Sequence, residues 1–483
     1  LPRILDAPFD PGRKRMTTAH RILGAAPAGL EWAAGGAAIS FTKGSVESVL
    51  AACSGSLRDG GVVPMSAERR LAVLEADSRL SGAGARVLGL AARGWAAAPE
   101  DAAPAALETG LVFIGLIGLS DPPRPEARAA VERCRGAGIR PVMITGDHPM
   151  TALSVARAVG IDASRALTGP ELEALSDAAL GEAVERISVF ARVAPEHKLR
   201  IVRALKARGH GAAMTGDGVN DAPALREADI GVAMGLTGTD VSKEASDMVL
   251  LDDNFATIVA AVEEGRVIYD NIRRFVKYLV TTNSAEVLVM LLAPLTGMPL
   301  PLLPLQILWI NLVTDGPSSL TLALEPAERG VMSRPPRRPD ESLLGRDLGI
   351  FAAWVGGLMT ALTLGVGYWA WRAGDPAWRT MLFSTLALVQ MGNALAVRSE
   401  TQSLFSQGLR SNAWLTGAVA FTVLLQLAAV YWAPLAGVLG TRPLSAGELG
   451  VCFGAAAAVF LAVEIEKWVR GRIRPQSSGA SSR

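Results

Sequence analysis

Apolar and polar positions divide the chain in two. Up to about residue 275, short runs of β type alternate with amphipathic helical stretches, and charges recur throughout. That pattern predicts a multidomain α/β region. Beyond it lie six apolar stretches: 276–296, 303–323, 349–371, 379–398, 412–433 and 448–468. Each is near the roughly 20 residues that a helix needs to cross a bilayer, so an all-α six-helix transmembrane bundle is expected. Two of the stretches are interrupted by polar residues. Short cytoplasmic loops collect Lys and Arg. Here Arg273, Arg274 and Lys277 precede the first stretch, and Arg329, Arg334, Arg337, Arg338 and Arg346 separate the second from the third. Arg398 and Arg410 bracket the fourth-to-fifth connection, and Lys467, Arg470, Arg472 and Arg474 follow the sixth. The intervening turns hold few basic residues or none. The expectation is a multi-pass protein of the cell membrane with both chain ends in the cytoplasm and a solvated tail over 471–483.

Composition agrees with this division. The 483 residues are 50% hydrophobic and 19% charged, with a mean hydropathy of +0.30, whereas soluble domains carry about 25% charge. Lys and Arg total 47 against 46 Asp and Glu, a net charge of +1, so no global basic surface points to nucleic acid as a partner. Cys53, Cys134 and Cys452 form no CxxC pair and read as core or lipid-facing fillers. Residues 1–20 have no continuous apolar run, so no signal peptide is expected. Because the chain opens on Leu1, it reads as the C-terminal part of something longer. A loop is expected over 96–104, and the rigid connector 121–125 (DPPRP) marks a hinge between lobes.

The chemistry of the first half lies in two segments of one design, an apolar strand ending in Thr-Gly-Asp: 141–147 (PVMITGD) and 211–217 (GAAMTGD). In an open parallel sheet, ligands bind beyond the carboxyl ends of the strands, so Asp147 and Asp217 would project into one crevice. Either segment alone could be a structural turn. The second, however, continues as 218–224 (GVNDAPA). Glycines there let backbone N–H groups approach phosphate, and Asp217 with Asp221 offers hard oxygen ligands for Mg2+. No GxxxxGK[ST] occurs, so a P-loop ATPase is not supported.

MITGD, DPPR, 192–198 (RVAPEHK) and 215–225 (TGDGVNDAPAL) resemble the P-type cation-transporting ATPases, nearest the calcium and manganese pump branch, over almost the whole chain. The resemblance implies a partial nucleotide-binding domain at 1–118 and a partial phosphorylation domain at 119–265, Rossmann-like and of haloacid-dehalogenase type. A membrane domain would occupy 266–470. It implies ATP and Mg2+ as cofactors. Phe9 would stack on adenine, and Lys14, Lys43 with Gly44, and Arg86 would face the triphosphate. Thr145, Gly146 and Asp147 would contact nucleotide and phosphate, with Arg192 nearby. Lys198 would steady the transferred phosphoryl group, Asp217 would hold Mg2+, and Asn220 and Asp221 would orient that site. Phosphoryl transfer needs positioning and cationic stabilisation, and these residue types supply both. The family's phosphorylated DKTGT motif does not occur in 1–483. This chain alone is therefore expected to be inactive, as a truncated pump or partial gene product; a separate N-terminal half carrying that motif, if it exists, would be its partner in a split pump. A non-catalytic membrane remnant, or a dehalogenase-type phosphatase fused to spans, is the alternative.

Ionisable residues within a span default to a functional reading, since a central Asp costs about 2.5–3.5 kcal/mol on insertion scales. Asn283 and Glu286 stand three apart in the first stretch, and Asn311, Thr314 and Asp315 share one face of the second. In a hairpin of the two helices these five would converge on an all-oxygen site for a hard cation. Asn and Thr could instead join helices by hydrogen bonds. Gly316-Pro317 after Asp315 would loosen the helix and free backbone carbonyls. Both segments resemble the calcium-pump spans that bind Ca2+, which makes Ca2+ the favoured cargo over Mn2+ or a monovalent cation. Gln390 stands where two-site calcium pumps carry Glu, which leaves its part in a second ion site open. Glu464 and Glu466 beside Lys467 read as an interfacial ion pair.

Overall fold

In a computed structural model, residues 1–473 are described apart from 11, 25–28, 34–35, 83, 120–121, 329, 338–340, 344 and 400–401. Asp121 of the connector, Arg329 and Arg338 of the basic loop, and 474–483 of the expected tail lie outside the described residues. The chain forms two compact units, 1–259 and 260–483.

Unit one begins with β1 (Arg3–Asp10), β2 (Arg15–Arg21), β3 (Ala38–Gly44), α1 (Val46–Ala52), β4 (Cys53–Arg58) and β5 (Gly61–Pro64). It continues through α2 (Ala67–Gly82), β6 (Arg86–Trp95), α3 (Pro104–Leu107) and β7 (Leu111–Leu119). The strands make one sheet in the order β1-β2-β3-β6-β7-β4-β5, antiparallel except for β4 beside β7. Ser45 caps α1 by accepting from the Ser48 N–H, and α1 buries Val46, Val49 and Leu50 against Ala91, Leu111 and Phe113. The sheet ends at Leu119, next to the expected lobe boundary.

Parallel βα units follow: α4 (Pro125–Gly136), β8 (Met143–Ile144), α5 (Pro149–Val159), β9 (Ala166–Thr168), α6 (Gly169–Glu173) and α7 (Asp177–Arg186). Next come β10 (Val189–Ala191), α8 (Pro195–Ala207), β11 (Ala213–Gly216), α9 (Ala222–Glu227), β12 (Ile230–Met234), α10 (Asp240–Glu244) and β13 (Met248–Leu250). They form two three-stranded parallel sheets, β8-β10-β9 and β11-β12-β13. Each Thr-Gly-Asp strand is the edge of its sheet, so β8 and β11 are paired on one side only among the described residues.

Unit two is helical. Five helices are long and apolar enough to cross a membrane: α11 (Phe255–Leu295), later α14 (Arg346–Arg372), α15 (Trp378–Val397), α17 (with its lead-in turn, 409–431) and α19 (Ala446–Ile473). The first begins at Phe255, well before the expected 276, because the amphipathic run preceding the apolar stretch is helical without a break. The 303–323 stretch is helical in three pieces: α12 (Pro304–Trp309), a π-helical turn at Ile310–Asp315, and α13 (Gly316–Leu322). Pro317 has no N–H to give to the carbonyl of Val313, and Thr422 of α17 (Ala413–Tyr431) donates to that carbonyl instead at 3.3 Å. Short helices α16 (Leu404–Gln407) and α18 (Ala433–Leu439) join the long ones.

Helix α15 is the axis of the bundle, with 89% of its apolar window buried. Glycines let it approach its neighbours. A Cβ on Gly367 of α14 would sit 2.5 Å from Leu382, and one on Gly392 would sit 2.5 Å from the Ala456 carbonyl of α19. Arg398 stands at the end of α15, the boundary the sequence assigned to it, and is 1% exposed. It donates to Glu325 at 2.8 Å, and Asn412 donates to the same carboxylate at 2.7 Å. The reason is pairing: a guanidinium leaves water only where a carboxylate and further hydrogen bonds satisfy it. Lys467 and Glu464 pair at 2.7 Å, as the sequence suggested.

Close packing at Gly392 gives a test. Gly392→Val should lose about 1–3 kcal/mol by overpacking and lower the thermal unfolding midpoint of the detergent-purified chain. Gly454→Val, where a Cβ would meet nothing within 4 Å, should not.

Candidate functional site

The β1-β2 hairpin and the start of α1 bring several of the expected nucleotide residues together. Phe9 is 61% exposed near the end of β1. Lys14 is exposed at the turn with φ +53, a left-handed conformation uncommon for a side chain with Cβ. Gly44 is needed beside it, since a Cβ there would lie 2.4 Å from the Lys14 carbonyl oxygen. Lys43 pairs with Met16 on β2 and Leu90 on β6, so strand alternation puts Lys43 and Arg86 on one sheet face. Arg86 lies four residues along β6, about 13 Å away at strand rise.

In the second lobe the two Thr-Gly-Asp turns are held differently. Thr145 Oγ1 donates to the Asp147 carboxylate at 2.9 Å and accepts from the Asp147 N–H at 3.1 Å. The Arg192 N–H, at φ +51, donates to the Asp147 carbonyl at 3.0 Å. Thr145, Gly146, Asp147 and Arg192 therefore form one turn pair, with Asp147 and the Arg192 side chain exposed. At the other turn the Asp217 carbonyl accepts from the Thr239 N–H at 2.9 Å and from Ser242 Oγ at 3.2 Å. Its carboxylate is exposed and has no hydrogen-bond partner among the described residues. Asn220 is exposed beside it.

Asp221 is different. It is 5% exposed, and its carboxylate accepts from Lys198 Nζ at 2.5 Å and from the Gly218 N–H at 3.4 Å. Gly216 makes room for it, because a Cβ there would lie 2.5 Å from the Asp221 Cβ. The donor set thus fits Mg2+ at Asp217, an open hard carboxylate on a pinned backbone. Asp221 is engaged by Lys198 rather than open as a second ligand.

Sequence reasoning missed the residues that pin this loop. Asp253, 8% exposed, accepts from the N–H groups of Leu236 and Thr237, both at 2.9 Å, and from Thr237 Oγ1 at 2.8 Å. Burial pushes the Asp253 carboxyl up, but these donors together with the Gly235 N–H outweigh it and hold it at about 2. Asp253 fixes the stretch leading to Thr239, and Thr239 holds Asp217. An isolated Asp in a Leu-Asp-Asp-Asn turn gives no periodic signal from which this could be read.

Two histidines act at helix starts. His148 caps α5, accepting from the Met150 N–H at 3.3 Å. His197 caps α8 but is buried, at 4% exposure. It lies with Glu173 and Glu196 in a group whose atoms could reach one ion. Its Nδ1 accepts from the Ala194 N–H at 3.0 Å, which puts the proton on Nε2, facing Glu173 at 3.1 Å. Both ring nitrogens are thereby used as a structural tie.

In unit two, Glu286 of α11, Asp315 at the end of the π turn and Gln390 of α15 come together. Gln390 donates to Glu286 at 2.7 Å, and Glu286 is also within side-chain interaction of Asn311 and Asp315. Tyr278 donates to Asp315 at 2.9 Å and Thr282 does so at 3.2 Å. The sequence named neither of these two. They sit one and two turns before Glu286, in a stretch read only for its carboxylate and amide. Thr314 is fully buried, and its hydroxyl lacks a partner among the described residues. Asn283 and Asn311 are exposed and donate to their own helix carbonyls, Leu279 and Ile307. Of the five expected to converge, Asn283 and Thr314 make no observed contact with the others: Asn283 is exposed, whereas Thr314 is buried next to Asp315 in the chain.

The Asp253 latch has a pH signature. Its carboxyl lies below the ordinary 3.8, so its contribution is complete above about pH 4 and is lost as pH falls through about 2. Asp253→Asn should remove the acid-destabilisation step in that window and, at neutral pH, raise amide exchange at Leu236 and Thr237 by about tenfold.

Residues 1–126 match the family model "P-type ATPase, cytoplasmic domain N", and residues 299–469 match "Cation transporting ATPase, C-terminus". The chain is 43% identical over 422 residues to a calcium-transporting ATPase of Bacillus subtilis, covering 86% of this chain and 47% of that protein. It is 39% identical to calcium-transporting ATPase 1 of Bacillus cereus, covering 93% and 51%. It is 38% identical to human calcium-transporting ATPase type 2C member 1, covering 92% and 48%. The chain thus spans about half the length of the curated relatives it matches. With both family regions present and five helices of membrane-crossing length, this is a multi-pass membrane protein that belongs to the P-type cation-transporting ATPase family.

Proposed function

We propose that this chain forms the nucleotide-handling and ion-carrying part of an ATP-driven pump whose cargo is a divalent cation, with Ca2+ favoured. The observation that carries the reading is the meeting of Glu286, Asp315 and Gln390 beside a broken helix in the membrane unit. Hard oxygen donors of this kind suit Ca2+, and the names of the Bacillus and human relatives support that cargo.

In this reading 1–118 serves as a partial nucleotide-binding domain, 119–265 as a partial phosphorylation domain and 266–470 as a six-span membrane domain. Phe9 stacks on adenine. Lys14, Lys43 and Arg86 neutralise the triphosphate, and Thr145, Gly146, Asp147 and Arg192 line its path. Asp217 holds Mg2+, which when bound supplies charge neutralisation at the phosphates. Lys198, kept in place by Asp221, faces the transferred phosphoryl oxygens, and Asn220 orients that site. The acceptor carboxylate comes from a DKTGT-bearing strand, in the same polypeptide or in a companion N-terminal half. Its oxygen attacks the γ-phosphorus, the bond to the β–γ bridging oxygen breaks, and ADP leaves. The one-sided pairing of β8 and β11 supports a parallel strand lying against their edges. The Lys and Arg asymmetry of the loops supports cytoplasmic chain ends in a cell membrane.

Equilibrium binding of radiolabelled Ca2+ to the purified chain tests the ion site. Asp315→Asn should weaken it by about a hundredfold or more, a loss of roughly 2.7 kcal/mol, while ATP binding stays. Unchanged Ca2+ binding would overturn the assignment. Vesicles holding the chain together with a DKTGT-bearing half should take up Ca2+ on ATP addition. Binding without uptake would favour the non-catalytic reading.

A further inference from the structure

Glu108 lies between α3 and β7, outside every motif read from the sequence, and is 1% exposed. Its carboxylate accepts from Arg13 Nη1, from Arg15 Nε at 2.8 Å and from Thr17 Oγ1 at 3.2 Å. A buried carboxylate survives where cations and hydrogen bonds answer it. Burial here works to raise the carboxyl, but Arg15 and Arg13 outweigh it and hold the group below its ordinary range. The two arginines flank Lys14, whose side chain is exposed.

The turn between them is clamped from a second side. The Lys14 N–H donates to the Asp10 carbonyl at 2.7 Å, and the Lys14 carbonyl accepts from the Ser45 N–H at 2.9 Å. Ser48 Oγ donates to the Arg13 carbonyl at 2.6 Å, and Arg15 Nη1 donates to the Ser48 carbonyl at 2.9 Å. Lys14 is thereby kept at a positive φ that a lysine does not choose unaided. The backbone strain is carried by contacts on both sides of the residue, and the side chains of the two flanking residues, Arg13 and Arg15, converge on Glu108.

We propose that Glu108 is a positioning residue for nucleotide binding, which through Arg13 and Arg15 fixes the turn that presents Lys14 to the phosphates of ATP. The inference rests on the nucleotide-site reading above and goes beyond it, because Glu108 touches no nucleotide and acts on a residue that does. Loss of its charge removes the one carboxylate that both guanidiniums share, leaves Arg13 with Asp10 and Pro8 and Arg15 with Ser48, and loosens the hold that keeps Lys14 in the left-handed conformation. The consequence falls on the phosphate end of the ligand rather than on the base.

The test is a double-mutant cycle on the full, detergent-purified chain, with ATP and adenosine as probes and calorimetric Kd as the readout. Glu108→Gln should weaken ATP binding by about tenfold and adenosine binding by less than about twofold. In a Lys14→Ala background the same substitution should add less than about twofold to the loss for ATP. Arg15→Lys, which keeps the charge but not the fork geometry, should reproduce the ATP-selective loss and covers the case in which Glu108→Gln does not fold. Equal losses for ATP and adenosine, a full effect of Glu108→Gln in the Lys14→Ala background, or no loss in either variant overturns the proposal. If the unsubstituted chain fails to bind ATP, the nucleotide-site reading falls and the inference falls with it. Normal ATP binding that ignores Glu108 overturns the inference alone.

Discussion

A carboxylate inside an apolar bundle has to be answered by its neighbours, and Glu286 with Asp315 sets that demand for the whole membrane unit. Exposed to lipid, each would cost about 2.5–3.5 kcal/mol on insertion scales. The bundle meets the demand with Tyr278 and Thr282 from the same helix as Glu286, and with Gln390 from α15. Gln390 reaches Glu286 only because α15 runs through the centre of the unit, and glycines at 367 and 392 let its neighbours close on it. The π turn ending at Asp315 belongs to the same solution. It places Thr314 and Asp315 inside while Asn311 and Leu312 stay exposed.

In the α/β unit the controlling factor is backbone position rather than burial of charge. Asp147 and Asp217 are both exposed at strand ends, where an open carboxylate costs little. What must be fixed is where the turns sit. Arg192 and Thr145 do this for the first turn, and Thr239, Ser242 and, at one remove, Asp253 do it for the second. Lys198 and Asp221 hold the remaining charge balance between α8 and the start of α9. Open carboxylates on fixed loops are what phosphate and Mg2+ chemistry requires, since catalysis of phosphoryl transfer is mostly positioning and electrostatics.

What the sequence disclosed follows from which interactions are local. The Thr-Gly-Asp turns, the apolar stretches and the Gly316-Pro317 break are written in consecutive residues, and all were legible. Glu108 was not, because its arginines are more than ninety positions away, and a single Glu before a strand looks like any surface acid. Asp253 was hidden too: its partners are only 16 and 17 positions away, but they are backbone N–H groups, which carry no sequence signal. Arg398 does stand at the end of α15, where the sequence put the fourth-to-fifth connection, but its burial was not legible, because its partner Glu325 lies 73 positions earlier. Asn283 shows the limit of spacing as a guide. Its spacing from Glu286 allows a shared face, but it donates to its own helix backbone and remains exposed.

The buried network around Glu325 bears on where the broken helix can yield. Glu325 follows α13 by three residues and is held by Arg398 from α15 and Asn412 at the start of α17. Asn271 of α11 donates to the Glu325 carbonyl at 2.8 Å and to the Ala323 carbonyl at 3.1 Å. Removing one partner of such a buried pair leaves an uncompensated charge at a cost of about 3–5 kcal/mol, so this end of the segment is strongly fixed. The other end is fixed as well. Gln306, fully buried, donates to the Leu439 carbonyl at 3.0 Å and caps α12 by accepting from the Leu303 N–H at 3.0 Å. Between the two anchors lies the one stretch whose helical hydrogen bonding is already irregular, Ile310–Asp315. Movement within the segment is most easily taken up there, since neither end can move without breaking buried hydrogen bonds. The two anchors together therefore confine the compliance of the segment to the irregular turn that ends at Asp315.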